Sequence, residues 1–407
     1  MSLLKIKRIP LYFKRFSWEI NFHEMTFLPF LMVFFNCIYM CMSLTDFGMQ
    51  LMSYATLASV LASFSFMFLL FVKDKEMSQY GLLYVVFFIF MIGLTIVYSQ
   101  DIKSCIYIAM SIWLNLMLFS YYRYRTEFII CSFCIALTFC IYANFLHLIT
   151  HPALWLIQTE KEGAGYLLGN NYNQMGCRMM IAIASNVACI KVSKLWKINF
   201  IILTIVSIVS LFFVGSMTSL SMIIVFAFFC IIPSIKLRNL GIISLFLIYV
   251  LFLTFVVFSG KGLENNETAV YIVEDILHKD ITFTYRTYMW DSALRVIAES
   301  PLWGWGFVSL DWYVKSMSSF AAGPHNFILS ILVNGGILLF SIFVILAYKS
   351  FKSIKPYMTE WSGQCLIFAA ICLYFMGLME MYPYPIMFYI LILLYYYPYL
   401  KDERKHK

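Results

Sequence analysis

The side chains that could carry chemistry are gathered in one long polar interval, residues 259–325, of an otherwise apolar chain. Within it, Arg286 offers a guanidinium, whose planar fork of N–H donors suits a phosphate or a carboxylate. His325 closes the interval and offers an imidazole, which can take a proton from a hydroxyl near neutral pH. Together these two residue types could bind an anionic group and activate a hydroxyl beside it.

The sequence around Arg286 predicts an amphipathic helix over residues 285–299. At about 100° per residue, Trp290 and Ala293 share the apolar face with Arg286 at its centre, and Arg295 lies on the opposite face. A charge on a docking face must meet a partner, because an unpaired desolvated charge is expensive. Arg286 is therefore either half of a structural salt bridge or the anchor of a phosphorylated substrate, whereas Arg295 is predicted to be a solvated surface charge.

His325 stands where the polar interval gives way to an apolar segment, between Gly323-Pro324 and Asn326. Of the six histidines, it is the one that combines an outer-face position, a helix start and neighbouring glycines. Two interpretations are open. His325 is a general base, or it caps the helix that follows.

The elements that must position these side chains are membrane helices. Hydrophobic residues make up 62% of the 407 residues and charged residues 12%, which lies outside the range of soluble globular domains. The net charge of +8 comes from lysines and arginines scattered between apolar segments, so nucleic acid is excluded as a partner. All 11 cysteines lie in or at the ends of hydrophobic segments, which predicts buried free thiols rather than a disulfide framework.

The fold class predicted is all-α, a polytopic integral membrane protein with about 12 transmembrane helices of roughly 20 residues each. The predicted spans are 27–45, 50–72, 80–99, 105–121, 128–149, 177–192, 198–214, 219–235, 240–258, 326–347, 362–380 and 385–400. Lysines and arginines concentrate in every second connection. By the positive-inside rule, those connections and both termini are cytoplasmic.

This topology divides the chain into five parts. They are a basic cytoplasmic amino terminus (1–26), nine spans (27–258), one large extracytoplasmic loop (259–325), three further spans (326–400) and a cytoplasmic carboxyl terminus (401–407). A long loop among short ones is usually functional. Chemistry is therefore expected outside the cytoplasm.

The long loop and the helix after it also follow a known pattern. An arginine and a tryptophan, a Pro-x-x-Gly-x-Gly element, a His-Asn pair and a later glycine are matched by Arg286, Trp290, Pro301, Gly304, Gly306, His325, Asn326 and Gly336. This order resembles the signature of the O-antigen polymerase and O-antigen ligase superfamily of integral membrane enzymes. The motif is concentrated in residues 285–336, whereas the resemblance in topology covers most of the chain.

The resemblance implies a GT-C-like glycosyltransferase that is metal-independent, needs no cofactor and inverts the anomeric carbon. Its donor would be an undecaprenyl-pyrophosphate-linked oligosaccharide in the bacterial cytoplasmic (inner) membrane, with the active site facing the periplasm or the cell exterior. In such an enzyme His325 activates the acceptor hydroxyl and Arg286 binds the leaving pyrophosphate. The implied partners are the lipid-linked oligosaccharides, membrane lipids, and flippase and chain-length regulator proteins.

The chain departs from that pattern in the short turn after the seventh span, where many members carry an arginine and this chain has Met217. Arg178, at the outer end of the sixth span, is the predicted substitute, because charges at membrane depth tend to mark sites. The alternative is that Arg178 snorkels to lipid headgroups. Lys261 is a weaker candidate for the same role, and Glu380, closing the eleventh span, could orient the histidine or a sugar hydroxyl.

Four further residues complete the predicted substrate-binding set, namely Asn326, Trp290, Trp303 and Trp305. Tryptophan rings present apolar faces to sugar C–H groups. Anchoring at the membrane interface is the alternative for the exposed tryptophans of the loop.

The leading functional hypothesis is a polysaccharide polymerase that joins lipid-linked repeat units into an O-antigen, capsule or exopolysaccharide. An O-antigen ligase, which transfers the glycan to lipid A core, uses the same donor; Leu339, where a small residue or tyrosine often follows Gly336, favours the polymerase. A lipid-linked oligosaccharide flippase would need charged residues within several spans, and these are nearly absent. A non-catalytic scaffold would leave the arrangement of Arg286 and His325 unexplained.

Overall fold

The computed structural model describes residues 27–41, 57, 61, 78–152, 166–168, 172–190, 192–276, 285–317 and 323–405. These residues are almost entirely helical and contain no β-strand. The helices are α1 Phe27–Cys41, α2 Gln79–Val97, α3 Ile102–Tyr121, α4 Thr126–Thr150, α5 Met175–Cys189, α6 Lys194–Val214, α7 Met217–Ile231, α8 Ile235–Phe252, α9 Arg286–Glu299, α10 Leu310–Ser316, α11 Phe327–Ile354, α12 Trp361–Met376 and α13 Tyr384–Lys405. Shorter helical turns connect them, among them Tyr172–Gln174, Gly260–Asn265 and Glu267–Val270.

Eleven of the predicted spans coincide with helices, and the segment 50–72 lies outside the described residues apart from 57 and 61. Six helical stretches of the described chain are long and apolar enough to cross a membrane: Gln79–Val97, Ile102–Tyr121, Arg123–Thr150, Lys194–Val214, Ile235–Val257 and Phe327–Tyr357. Four more apolar helices are shorter. An all-helical membrane protein is thereby confirmed, whereas twelve spans and the GT-C class stay predictions.

Several helix boundaries differ from the predicted spans, and one of these differences bears on the site. The predicted span 362–380 ends as a helix at Met376, and residues 377–383 form a turn before α13. Glu380 therefore lies in this turn and not in the last turn of a membrane helix. We call residues 377–383 the α12–α13 turn.

Helix α13 forms the centre of the bundle and packs against α3, α4, α5 and α11. Its segment from Ile386 to Leu394 is apolar all round and has no exposed side chain, as expected of a helix surrounded by others. Helix α8 instead keeps most of its apolar side chains on the outer surface of the bundle. Because lipid tails are the apolar solvent of a membrane protein, such a face is suited to lipid.

All eleven cysteines are free thiols, and ten of them are buried. Polar side chains inside the bundle instead find hydrogen-bond partners on neighbouring helices. Asn36 of α1 donates to Oδ1 of Asn115 on α3 at 2.7 Å, and Asn199 of α6 donates to Oδ1 of Asn186 on α5 at 2.6 Å. Such bonds hold membrane helices together where apolar contact alone does not favour one neighbour over another.

Helix α11 is broken at the glycine pair of the motif. Gly335 and Gly336 have non-helical backbone angles, with φ of −146° and 59°. The Pro301–Gly306 loop fills the break, since the amides of Trp305 and Gly306 donate to the carbonyls of Val333 and Asn334 at 2.8 and 2.9 Å. In return, the Ile337 amide donates to the Pro301 carbonyl at 2.9 Å. The two glycine elements of the sequence thus interlock, and they tie the long loop to α11.

This interlock explains why glycines stand there. A Cβ on Gly304 would lie 2.5 Å from the Gly335 amide nitrogen, and a Cβ on Gly336 would overlap the Leu302 backbone. Both glycines also have a positive φ, a conformation in which a side chain is strained.

We therefore expect Gly336→Ala to lower the free energy of unfolding by about 2 kcal/mol or more, because it adds backbone strain and a steric overlap. The control is Gly93→Ala on α2, where an added Cβ meets nothing within 4 Å. That variant should be neutral or slightly stabilised. Thermal unfolding of the detergent-purified variants measures the difference, and equal midpoints would contradict the interlock.

Candidate active site

The α12–α13 turn brings several of the predicted site residues together, namely Arg286, His325, Asn326 and Glu380. Successive carbonyls of this turn accept hydrogen bonds from other parts of the chain: Gly377 from the Phe327 amide at 2.8 Å, Leu378 from Asn326 Nδ2 at 3.0 Å, and Met379 from Arg286 Nε at 2.8 Å. The next residue, Glu380, faces His325. Arg286 from within the long loop and residues 325–327 at its carboxyl end therefore converge on four consecutive residues of one turn.

His325 and Glu380 form the closest pair of ionisable groups in this cluster. His325 Nδ1 lies 3.1 Å from Glu380 Oε1, without the alignment of a hydrogen bond. The histidine side chain keeps 24% of its surface exposed, whereas the glutamate side chain keeps 6%. The imidazole can thus reach a bound molecule on one side while its other side meets a buried carboxylate.

The backbone at His325 is held in an unusual conformation. Its φ is 43°, in the left-handed region that few residues other than glycine occupy. The preceding Gly323 has a φ of 146°, and a Cβ there would come within 3.1 Å of the Met381 sulfur. Conformations of this kind cost about 1–3 kcal/mol and tend to persist at functional sites.

The structure tests one of the two interpretations of His325, the helix cap. The N-cap of α11 is Asn326, whose Oδ1 accepts a hydrogen bond from the Leu329 amide at 2.9 Å. A capping role for His325 is therefore wrong. Asn326 is fully buried and uses its Nδ2 to bind the Leu378 carbonyl, so its observed contacts position the start of α11 and the turn.

Arg286 begins helix α9, whose observed extent confirms the predicted helix and its two faces. Trp290 and Ala293 are fully buried on the inner face. Arg295 is exposed on the other face, 3.6 Å from Asp291. The guanidinium of Arg286 is partly buried and bonds the Met379 carbonyl through Nε. This contact brings the arginine to the residue next to Glu380.

Arg178 reaches the same region from the first turn of α5. It is 5% exposed, and a terminal nitrogen of its guanidinium donates to the Gln174 carbonyl at 2.7 Å. Snorkelling to lipid headgroups is therefore wrong for Arg178, because the charge is buried in protein.

Tyr382 links Arg178 to the turn. Its pKa is raised well above the ordinary value, mainly by burial; the nearby Glu380 carboxylate adds to the rise and the Arg178 guanidinium opposes it. Both charges thus act electrostatically on the phenol. The Tyr382 hydroxyl also donates to the Asn173 carbonyl at 3.3 Å and lies 3.4 Å from the Ser219 hydroxyl of α7.

Three buried atoms of this cluster have no hydrogen-bond partner in the part of the chain that the structure describes: Arg178 Nε, His325 Nδ1 and Glu380 Oε2. Buried polar atoms are nearly always paired, so unpaired ones need an explanation such as a catalytic or ligand-binding role. Among the described residues no group of three or more His, Cys, Asp or Glu could hold a metal ion.

The remaining predicted site residues are the three tryptophans and Lys261. Trp290 has no exposed surface and packs α9 against the core. Trp305 donates from Nε1 to the Val296 carbonyl at 3.1 Å, which fixes the glycine loop to α9. Trp303 is half exposed and contacts Phe90 of α2. The Lys261 side chain lies outside the described residues.

A comparison with known protein families agrees with the motif. Residues 178–344 match the model of the O-Antigen ligase family, whose members are glycosyltransferase-like enzymes. No curated protein matches the chain. The matched range supports the resemblance to the O-antigen ligase and polymerase superfamily and a location in a membrane. It includes Arg178, Arg286 and His325 but ends before the α12–α13 turn.

Proposed function

We propose that this protein is a membrane glycosyltransferase that polymerises polyprenyl-pyrophosphate-linked oligosaccharide units on the outer face of the bacterial cytoplasmic membrane. The supporting observation is the convergence of Arg286 and His325 on the neighbouring residues Met379 and Glu380. A cation suited to phosphate and a histidine suited to proton transfer then both contact one turn.

In the proposed reaction a hydroxyl oxygen of the acceptor sugar attacks the anomeric carbon of the donor. His325 takes the proton of that hydroxyl as the new glycosidic bond forms. The bond from the anomeric carbon to the pyrophosphate oxygen breaks, and the lipid pyrophosphate leaves with the electron pair. Because attack occurs opposite the leaving group, the configuration at the anomeric carbon is inverted.

The negative charge that develops on the pyrophosphate needs preorganised cations. We assign this role to Arg286 and Arg178. Arg178 is buried, and its Nε has no partner among the described residues. A guanidinium with a donor left over in a buried place is suited to a phosphate oxygen. This arrangement would replace the arginine that many family members carry where this chain has the exposed Met217.

An O-antigen ligase is the second candidate, because the matched family model carries that description. Donor and leaving group are the same, and the two functions differ only in the acceptor. A polymerase accepts a second lipid-linked repeat unit, whereas a ligase accepts lipid A core. Flippase and chain-length regulator proteins are proposed partners for the polymerase alone.

The discriminating experiment uses the purified full-length protein in vesicles that contain one lipid-linked repeat unit as the only glycan. We expect a ladder of longer lipid-linked glycans, resolved by electrophoresis or mass spectrometry. Vesicles without the lipid-linked repeat unit are the control, and a ladder that also forms in them would point to contaminating glycan. Transfer of single units only when lipid A core is added would instead identify a ligase, and transport without any new glycosidic bond would identify a flippase.

A further inference from the structure

Glu380 is the acidic side chain that meets the proposed base, and it lies outside the range that matches the family model. We propose that Glu380 is the positioning residue of His325: its carboxylate fixes the imidazole through Nδ1 and stabilises the imidazolium that forms during glycan transfer. This inference rests on the proposed function, since it assigns a partner to the base of that reaction.

The geometry selects which ring nitrogen can act as the base. Nδ1 of His325 faces the buried Glu380 carboxylate at 3.1 Å. A carboxylate accepts hydrogen bonds, so Nδ1 is the nitrogen that should carry the proton beside it, and Nε2 keeps the lone pair. Proton transfer from the acceptor hydroxyl to Nε2 then creates a positive charge next to the carboxylate.

The missing alignment between the two groups is compatible with this role. Catalytic hydrogen bonds are often poorly aligned before the substrate binds and tighten in the complex. A buried carboxylate without a positive partner is costly, and Glu380 Oε2 has no hydrogen-bond partner among the described residues. The imidazolium formed in the reaction would supply a positive partner for this carboxylate at 3.1 Å.

Hydrogen bonds around His325 and Glu380 fix the positions of the two residues relative to each other. Glu380 Oε1 also accepts from the Met381 amide at 3.2 Å, which fixes the carboxylate on its own turn. The turn is bonded to the start of α11 through the Phe327 amide and the Asn326 side chain. His325 precedes these two residues directly, so the histidine and the glutamate are held by one set of hydrogen bonds.

The test is Glu380→Gln, which keeps the size of the side chain and a carbonyl oxygen for the Met381 amide but removes the charge. We expect kcat to fall by about 10²-fold or more. The donor KM and the thermal unfolding midpoint should both stay within the spread of replicate wild-type preparations. Glu299→Gln, at the exposed end of α9, is the matched control and should keep wild-type kcat.

A double-mutant cycle separates positioning from general damage. If Glu380 acts through His325, then His325→Asn with Glu380→Gln should be no slower than His325→Asn alone, because residues that act as a unit are not additive. If the double variant loses kcat by the product of the two single losses, the proposal is overturned. A Glu380→Gln variant with near-normal kcat would also overturn it. So would a Glu380→Gln variant that loses donor binding and folding together with turnover. By contrast, near-normal turnover of His325→Asn itself would reject the base assignment in the proposed function.

Discussion

His325→Asn should bind the lipid-linked donor and yet transfer almost no glycan. Asparagine occupies the left-handed backbone region more readily than most residues, so it can adopt the φ of 43° found at this position. The helix cap does not depend on the substitution, because Asn326 provides it. What asparagine cannot do is accept a proton near neutral pH. Loss of general base catalysis lowers rates by about 10²–10⁴-fold.

The measurement is single-turnover transfer by purified protein, together with donor binding and thermal unfolding. His151→Asn, on an exposed histidine at the end of α4, is the matched control and should transfer at the wild-type rate. His325→Ala should lose transfer similarly and also some stability, because alanine is less favourable at positive φ. Near-normal turnover of His325→Asn would make His325 structural. The base would then have to be Glu380, 3.1 Å away, or a loop carboxylate such as the exposed Asp311.

The motif in the sequence includes Arg286 and His325, which the structure brings to one turn, but it did not explain why its glycines and Asn326 are there. Gly304 and Gly336 belong to a close backbone contact between the long loop and the broken helix α11. The two glycines are about thirty residues apart in the sequence, and that spacing alone does not predict a contact between them. The same is true of Asn326, which was expected to bind substrate and is observed as a buried helix cap.

The α12–α13 turn could not be found by hydropathy. Leu378, Met379 and Met381 are apolar, so the apolar run continues past the end of α12 at Met376. Tyr382 carried no signal either, because it is one of 28 tyrosines in the chain. The one available signal was Glu380, a carboxylate in an apolar run, and charges at such positions tend to mark sites. Its approach to His325 depends on packing between α11 and the turn, which only the fold shows.

Arg286→Lys should reduce glycan transfer by about 10²–10³-fold although it preserves the positive charge. Arg286 already donates from Nε to the Met379 carbonyl at 2.8 Å. A guanidinium has five N–H donors in a planar fork, so this bond can coexist with a bidentate contact to a phosphate. An ammonium group is a single point of charge and cannot hold both the carbonyl and the phosphate in that geometry. The loss should therefore appear in donor binding as well as in kcat.

Arg295→Lys is the matched control, because it makes the same change on the same helix. Arg295 is exposed and its ion pair with Asp291 spans 3.6 Å on the outer face of α9, where such pairs contribute little. That variant should transfer glycan at the wild-type rate. Equal losses from both changes at equal protein abundance would mean that α9 as a whole, and not the Arg286 guanidinium, supports the reaction. If Arg286→Lys transfers glycan at the wild-type rate, Arg286 contributes only its positive charge. The bidentate contact to the phosphate would then have to come from Arg178.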